Sequence, residues 1–88
     1  MGKFVYFTSA EKRQANEVVL PSFLRDRGEK LLKAGREYRL ASDHSITVRG
    51  NRWYDHAARR GGHAISFVRQ FYDKTFPEAV SMLLGRDG

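Results

Sequence analysis

Ser45-Ile46-Thr47-Val48-Arg49-Gly50-Asn51-Arg52-Trp53-Tyr54-Asp55-His56 carries the clearest strand signal in the chain. Polar and apolar residues alternate from Ser45 to Arg49, the two-residue period of a strand whose side chains point to opposite faces in turn. Gly50-Asn51 is turn chemistry, and the aromatic run after it suits a pleated, half-buried surface. The pattern predicts a β-hairpin. Upstream, Lys30-Leu31-Leu32-Lys33 leads through Ala34-Gly35 into the alternating Arg36-Glu37-Tyr38-Arg39-Leu40, which predicts a second hairpin around Gly35. Residues 29–56 together read as a small antiparallel sheet.

Helical signals flank the sheet. Thr8-Ser9-Ala10-Glu11 fits a capping box, in which hydroxyl and carboxylate satisfy amide donors that a helix start leaves free. A second start falls near Asn16, with Pro21 tolerated in a first turn. Val18, Val19, Phe23 and Leu24 are expected to form its buried stripe, and Gly28 its stop. Arg59-Arg60-Gly61-Gly62 reads as a loop. A helix over 64–72 follows, with Ile65, Phe67, Val68, Phe71 and Tyr72 on its apolar side. Thr75-Phe76-Pro77-Glu78 is a second capping box, opening a helix that buries Phe76, Val80, Leu83 and Leu84 and stops at Gly85. The expected class is α+β: a helical segment over 1–28, a sheet over 29–56 and two helices over 63–84, forming one domain over 1–88.

With 88 residues, 41% hydrophobic and 12% aromatic, the chain has room for one modest core. The absence of cysteine excludes a disulfide scaffold, a Cys-ligated zinc or iron–sulfur site and a Cys nucleophile. No apolar run approaches a membrane span, and no apolar stretch follows Met1-Gly2-Lys3-Phe4-Val5 as in a signal peptide. The expectation is a soluble cytoplasmic domain without a membrane partner.

Charge gives the first pointer to a partner. Sixteen Lys and Arg against ten Asp and Glu leave +6, with a pI near 10.1. Eleven of the sixteen are Arg, whose planar donor fork suits phosphate oxygens. The surplus is three in residues 1–35, three in 36–63 and zero in 64–88, so the first two segments are the candidate polyanion face. A basic surface also serves solubility alone.

Motifs for catalysis are missing: there is no Gly-x-Ser-x-Gly, no Gly-x-x-x-x-Gly-Lys-Ser/Thr, no His-Glu-x-x-His and no Asp-x-Asp pair. Gly61-Gly62 before a helix suits either an anion or a simple turn. His44, His56 and His63 lack the spacing that sets two ligands on one helix face, so no metal or cofactor is expected. The dense constellation is Arg49 to Arg60, with four Arg around Trp53-Tyr54. Strand alternation lets only one of the two aromatics be core; the other is left beside Arg as a stacking platform for bases.

Four stretches carry a family resemblance: Ser45-Ile46-Thr47-Val48, Arg52-Trp53-Tyr54, Gly62-His63-Ala64-Ile65-Ser66-Phe67-Val68 and Thr75-Phe76-Pro77-Glu78-Ala79-Val80. In that order they resemble the N-terminal zinc-ribbon domain, of CHCC type, of bacterial DNA primases. That family reads Cys-Pro-x-His, Pro-Ser-Phe-x-Val, an aromatic strand ending in Cys-x-x-Cys, then Gly-x-x-Gly-(Asp/Asn)-Ala-Ile-x-Phe and a closing Phe-x-Glu-Ala-Val helix. The match runs over about residues 36–84 and departs at the metal ligands. Arg36 and Arg39 fall near the first ligand pair, Asp55 and Ala58 at the second. Ala58 has no donor atom and Arg stays protonated.

The resemblance therefore implies a zinc ribbon without its zinc, as in primase-like toprim proteins of plasmids and conjugative elements. It implies a non-catalytic module of a DNA-replication or mobilisation protein that binds single-stranded template DNA. Arg36, Arg39, Arg49, Arg52, Arg59 and Arg60 are the expected phosphate contacts, and Trp53 or Tyr54 the stacking residue. The alternative is a protein-interaction or regulatory module that docks on a toprim catalytic domain or a helicase.

Overall fold

The computed structural model describes residues 7–86 of the chain; the first six residues of the expected 1–28 helical segment lie outside that range. The order is α1 (Ser9–Asn16), α2 (Leu20–Asp26), β1 (Leu31–Ala34), β2 (Glu37–Leu40), β3 (Ile46–Arg49), β4 (Arg52–Asp55), β5 (Arg60–His63), α3 (Ala64–Phe71) and α4 (Phe76–Leu83). The five strands form one antiparallel meander in sequence order, so the class is α+β. No helix among the described residues is long and apolar enough to cross a membrane.

Both capping boxes form. Thr8 Oγ1 accepts from the Glu11 amide and Glu11 Oε1 from the Thr8 amide; Thr75 and Glu78 repeat the exchange at α4. Pro21 and Pro77 lie in first turns, where their missing amides cost nothing. Gly28 ends the α2 segment at φ 87°, a left-handed angle that a side chain resists. Gly50 takes φ 58° in the β3–β4 turn, matching the twist of a two-residue hairpin.

Three expectations change. Residues 60–63 are a fifth strand, where 59–62 read as a loop and 63 as the start of the helical segment: Trp53 pairs with Gly62 and Tyr54 with Gly61. Glycine has little strand propensity of its own, and here pairing with an aromatic strand supplies what propensity lacks. The stripe of α2 also shifts. Because the helix starts at Leu20, Val18 and Val19 belong to the connection; Val19 is half exposed, while Leu20, Phe23 and Leu24 are buried. In α4, Val80 and Leu83 are buried, whereas Phe76 and Leu84 pack only partly.

The helices cover one face of the sheet. Leu40, Ile46, Val48 and Trp53 pack against Leu20 and Leu24 of α2, Phe67 and Val68 of α3 and, behind α3, Val80 of α4. Trp53 is the anchor. Its ring meets Phe67 edge-on at 5.7 Å and its Nε1 donates to Ser66 Oγ at 3.0 Å. Asn16 ties the layers together at one end of the sheet. Its Oδ1 accepts the Ile65 amide at 3.0 Å, capping α3, whose own N-cap residue His63 gives no side-chain bond. Its carbonyl accepts Asn51 Nδ2 at 2.7 Å, and the Leu20 amide donates to the Gly50 carbonyl at 2.7 Å. The β3–β4 turn is thus held by both N-terminal helices.

Asn16→Ala removes a helix cap and is expected to cost about 1 kcal/mol in urea unfolding. Asn16→Asp keeps the acceptor and should recover at least half of that loss. The cap hydrogen bonds hold the Glu11 and Glu78 carboxyls below their ordinary pKa of 4.5, for Glu11 with added help from Arg86. A lowered folded-state pKa means that this stability is complete above pH 4.5 and is lost as pH falls through the lowered values. Melting temperatures measured down the acid limb should fall less steeply for Glu78→Gln than for the natural chain.

Candidate nucleic-acid interface

Cross-strand partners share a face, as do residues two apart on one strand. Arg49 pairs with Arg52, and Arg52 with His63. One step along, Leu32 pairs with Arg39, Arg39 with Thr47, Thr47 with Tyr54 and Tyr54 with Gly61. All of these lie on the face that the helices leave bare. The other face carries Tyr38, Val48, Trp53 and Gly62 in register.

The bare face forms an open concavity of about 870 Å³, lined among others by Thr47, Arg49, Arg52, Tyr54 and His63. Tyr54 is 42% exposed, and its ring leans over Gly61, where a Cβ would meet it. His56 packs edge-on against that ring at 4.8 Å, and its Nε2 lies 3.3 Å from Oγ1 of the buried Thr47. Glu37, half buried, is the carboxylate that shares the lining. Asp55 stands at the sheet's far end with Oδ1 accepting the amides of Ala57 and Ala58, so it braces the β4–β5 turn.

The structure brings Arg39, Arg49, Arg52 and Tyr54 together. It separates the other expected contacts. Trp53 is 6% exposed and belongs to the core, so of the two aromatics Tyr54 is the exposed one. Arg36 lies in the β1–β2 turn and Arg59 in the β4–β5 turn, at φ 57°. Arg60 pairs with Asp55, which pairs with the buried Ile46, and so faces the helix side. His63 falls in the expected 63–84 helical segment, and the structure instead makes it a face residue: the pairing of Gly62 with Trp53 sets His63 opposite Arg52.

The arginines differ in what they meet. On the helix side, Arg25 lies over the Tyr38 ring at 4.6 Å and Arg27 over Phe23 at 5.4 Å, while Arg86 bonds Glu11 at 2.8 Å. A hydrogen bond from Arg25, with the charge of Lys33 beside it, lowers the Tyr38 phenol pKa. Among the described residues, Arg39, Arg49 and Arg52 form no ion pair and no side-chain hydrogen bond. Like charges directly opposite one another weaken a sheet, so the Arg49–Arg52 pair costs the fold stability unless an anion lies between them.

The four positions that the resemblance matches to metal ligands do not surround one point: Arg36 is in the first turn, Arg39 on the bare face, Asp55 on the helix-facing side and Ala58 in the β4–β5 turn. Among the described residues no three His, Asp or Glu side chains gather in a way that could hold a metal. A search against protein-family models returns no match, and no curated protein matches the sequence.

A Cβ on Gly61 would run into the Trp53 carbonyl, a backbone atom that cannot swing away. Gly61→Ala should therefore cost about 1–3 kcal/mol in urea unfolding. An unchanged midpoint would mean that β5 is not paired with β4 in this register.

Proposed function

We propose that the bare sheet face binds single-stranded DNA, and that the chain is a non-catalytic module of a primase-like replication or mobilisation protein. The observation that carries this is the set of three unpaired arginines, Arg39, Arg49 and Arg52, sharing a face with the exposed ring of Tyr54. Phosphates take the guanidinium groups, and a base stacks on Tyr54. His56, braced by Thr47 against the edge of that ring, limits its swing. A flexible single strand fits a bare, shallow face better than a rigid duplex does, because its bases are free to splay onto an aromatic ring.

The resemblance to the primase zinc ribbon adds the wider setting. In it, this module holds template and presents it to a separate catalytic domain of toprim type, or meets a helicase. Chemistry belongs to that partner, and this chain contributes position and charge.

Fluorescence anisotropy with a labelled oligothymidylate tests the reading. Binding is expected at low salt, falling steeply as salt rises. Replacing Arg39, Arg49 and Arg52 with Gln removes three phosphate contacts and should flatten the slope of log affinity against log salt by about 2. Tyr54→Ala should weaken binding by about 1–3 kcal/mol, with Tyr54→Phe close to the natural chain. No anisotropy change at low salt, at high protein concentration, would sink the proposal.

A further inference from the structure

We infer that the binding track does not end at the sheet but crosses its rim onto α1, where Lys12 and Arg13 hold further phosphates of the same strand. The inference rests on the reading of the bare face as a polynucleotide surface and adds a second subsite to it.

A second concavity, of about 530 Å³, lies on the N-terminal side of the molecule and includes Lys12 and Arg13 in its lining. It shares Asn51 and His63 with the concavity of the bare face, so the two adjoin at the rim. His63 stands opposite Arg52, the last arginine of the face. Asn51 is bonded to the Asn16 carbonyl at 2.7 Å. Asn16 follows Lys12 by four residues and Arg13 by three, the spacings that set side chains on one helical face. The rim therefore lies between Arg52 and two exposed cations, and the Asn16–Asn51 bond ties α1 to the turn beside Arg52.

Charge on α1 is arranged to leave these two free. Glu11, their neighbour, has Oε1 on the Thr8 amide and Oε2 on Arg86. Glu17 is the one carboxylate in the lining of the second concavity. Among the described residues the Arg13 side chain has no ion pair or hydrogen bond. Lys12 Nζ lies 6.0 Å from the Phe76 ring centre, at the outer limit of a cation–π contact, so little holds it back from a phosphate.

The test compares oligothymidylates of four and twelve nucleotides by anisotropy. The natural chain is set beside Lys12→Gln/Arg13→Gln and a control, Arg69→Gln/Lys74→Gln, which removes the same charge from the α3 end. Both double variants exchange exposed residues, and circular dichroism checks that each is folded. The four-mer should bind all three proteins within about twofold, since the bare face is intact in each. For the twelve-mer, the Lys12/Arg13 variant should lose about 1.4 from the salt slope, so that between 50 and 200 mM salt its affinity falls roughly sevenfold less than that of the natural chain. The control should keep the natural slope. If the two double variants behave alike on the twelve-mer while the four-mer still binds, the track over the rim is overturned and the bare-face site stands. If the natural chain binds neither length, the bare-face reading falls and takes the track with it.

Discussion

Burial of Trp53 against α3 fixes which side of the sheet each strand residue takes. Its indole lies between Phe67 and Ser66, with Nε1 on the serine hydroxyl, which in turn donates to the His63 carbonyl at 2.9 Å. Gly62 makes room for this: a Cβ there would press on Ser66 Oγ. Once Trp53 is fixed, alternation sends Arg52 and Tyr54 to the opposite face. A slip of one residue would bury Tyr54 and Arg52 and expose the indole, so the hydrophobic face specifies register strongly. The surface that carries the proposed function is a consequence of where the core ends.

Away from the bare face, Arg25 and Arg27 meet aromatic rings and Arg86 a carboxylate, whereas Arg13 and Arg60 form no ion pair among the described residues. On the bare face the neighbours of the arginines are another arginine, a histidine, a threonine, a tyrosine and Leu32, with Glu37 the one carboxylate in the lining. That composition keeps a one-sided sheet in water without helices over it. It also leaves positive charge in excess on that face, the feature on which the proposed polyanion binding rests.

Much of this was legible in the sequence because it is local. The capping boxes at Thr8 and Thr75, the hairpins around Gly35 and Gly50-Asn51, and the apolar side of α3 each depend on residues within a few positions. What was not legible depends on distant partners. β5 carries two glycines and looks like a loop until Trp53 and Tyr54 are laid beside it. Asn16 reads as a helix start, yet it closes α1 and caps α3, 49 residues away in sequence. The choice between Trp53 and Tyr54 was narrowed to one of the pair by alternation alone; α3 decided it. Arg60 shows the limit of reading charge density, since proximity in sequence to Arg59 says nothing about which face a strand residue takes.

The tip of the β4–β5 hairpin shows how such a small sheet is kept in shape by protein groups. The Asp55 carboxylate takes the amides of Ala57 and Ala58, two donors that the turn would otherwise leave to water. The other end of the sheet is held by Asn16, Asn51 and the Leu20–Gly50 bond. The core beneath is contributed by all four helices. Stability thus rests on one face and the two ends, whereas the unpaired arginines sit on the other face, where a side chain can be exchanged without opening the core. That separation lets the bare face carry mutual repulsion that a core position would not tolerate, and an anion bound there would stabilise the fold by relieving it.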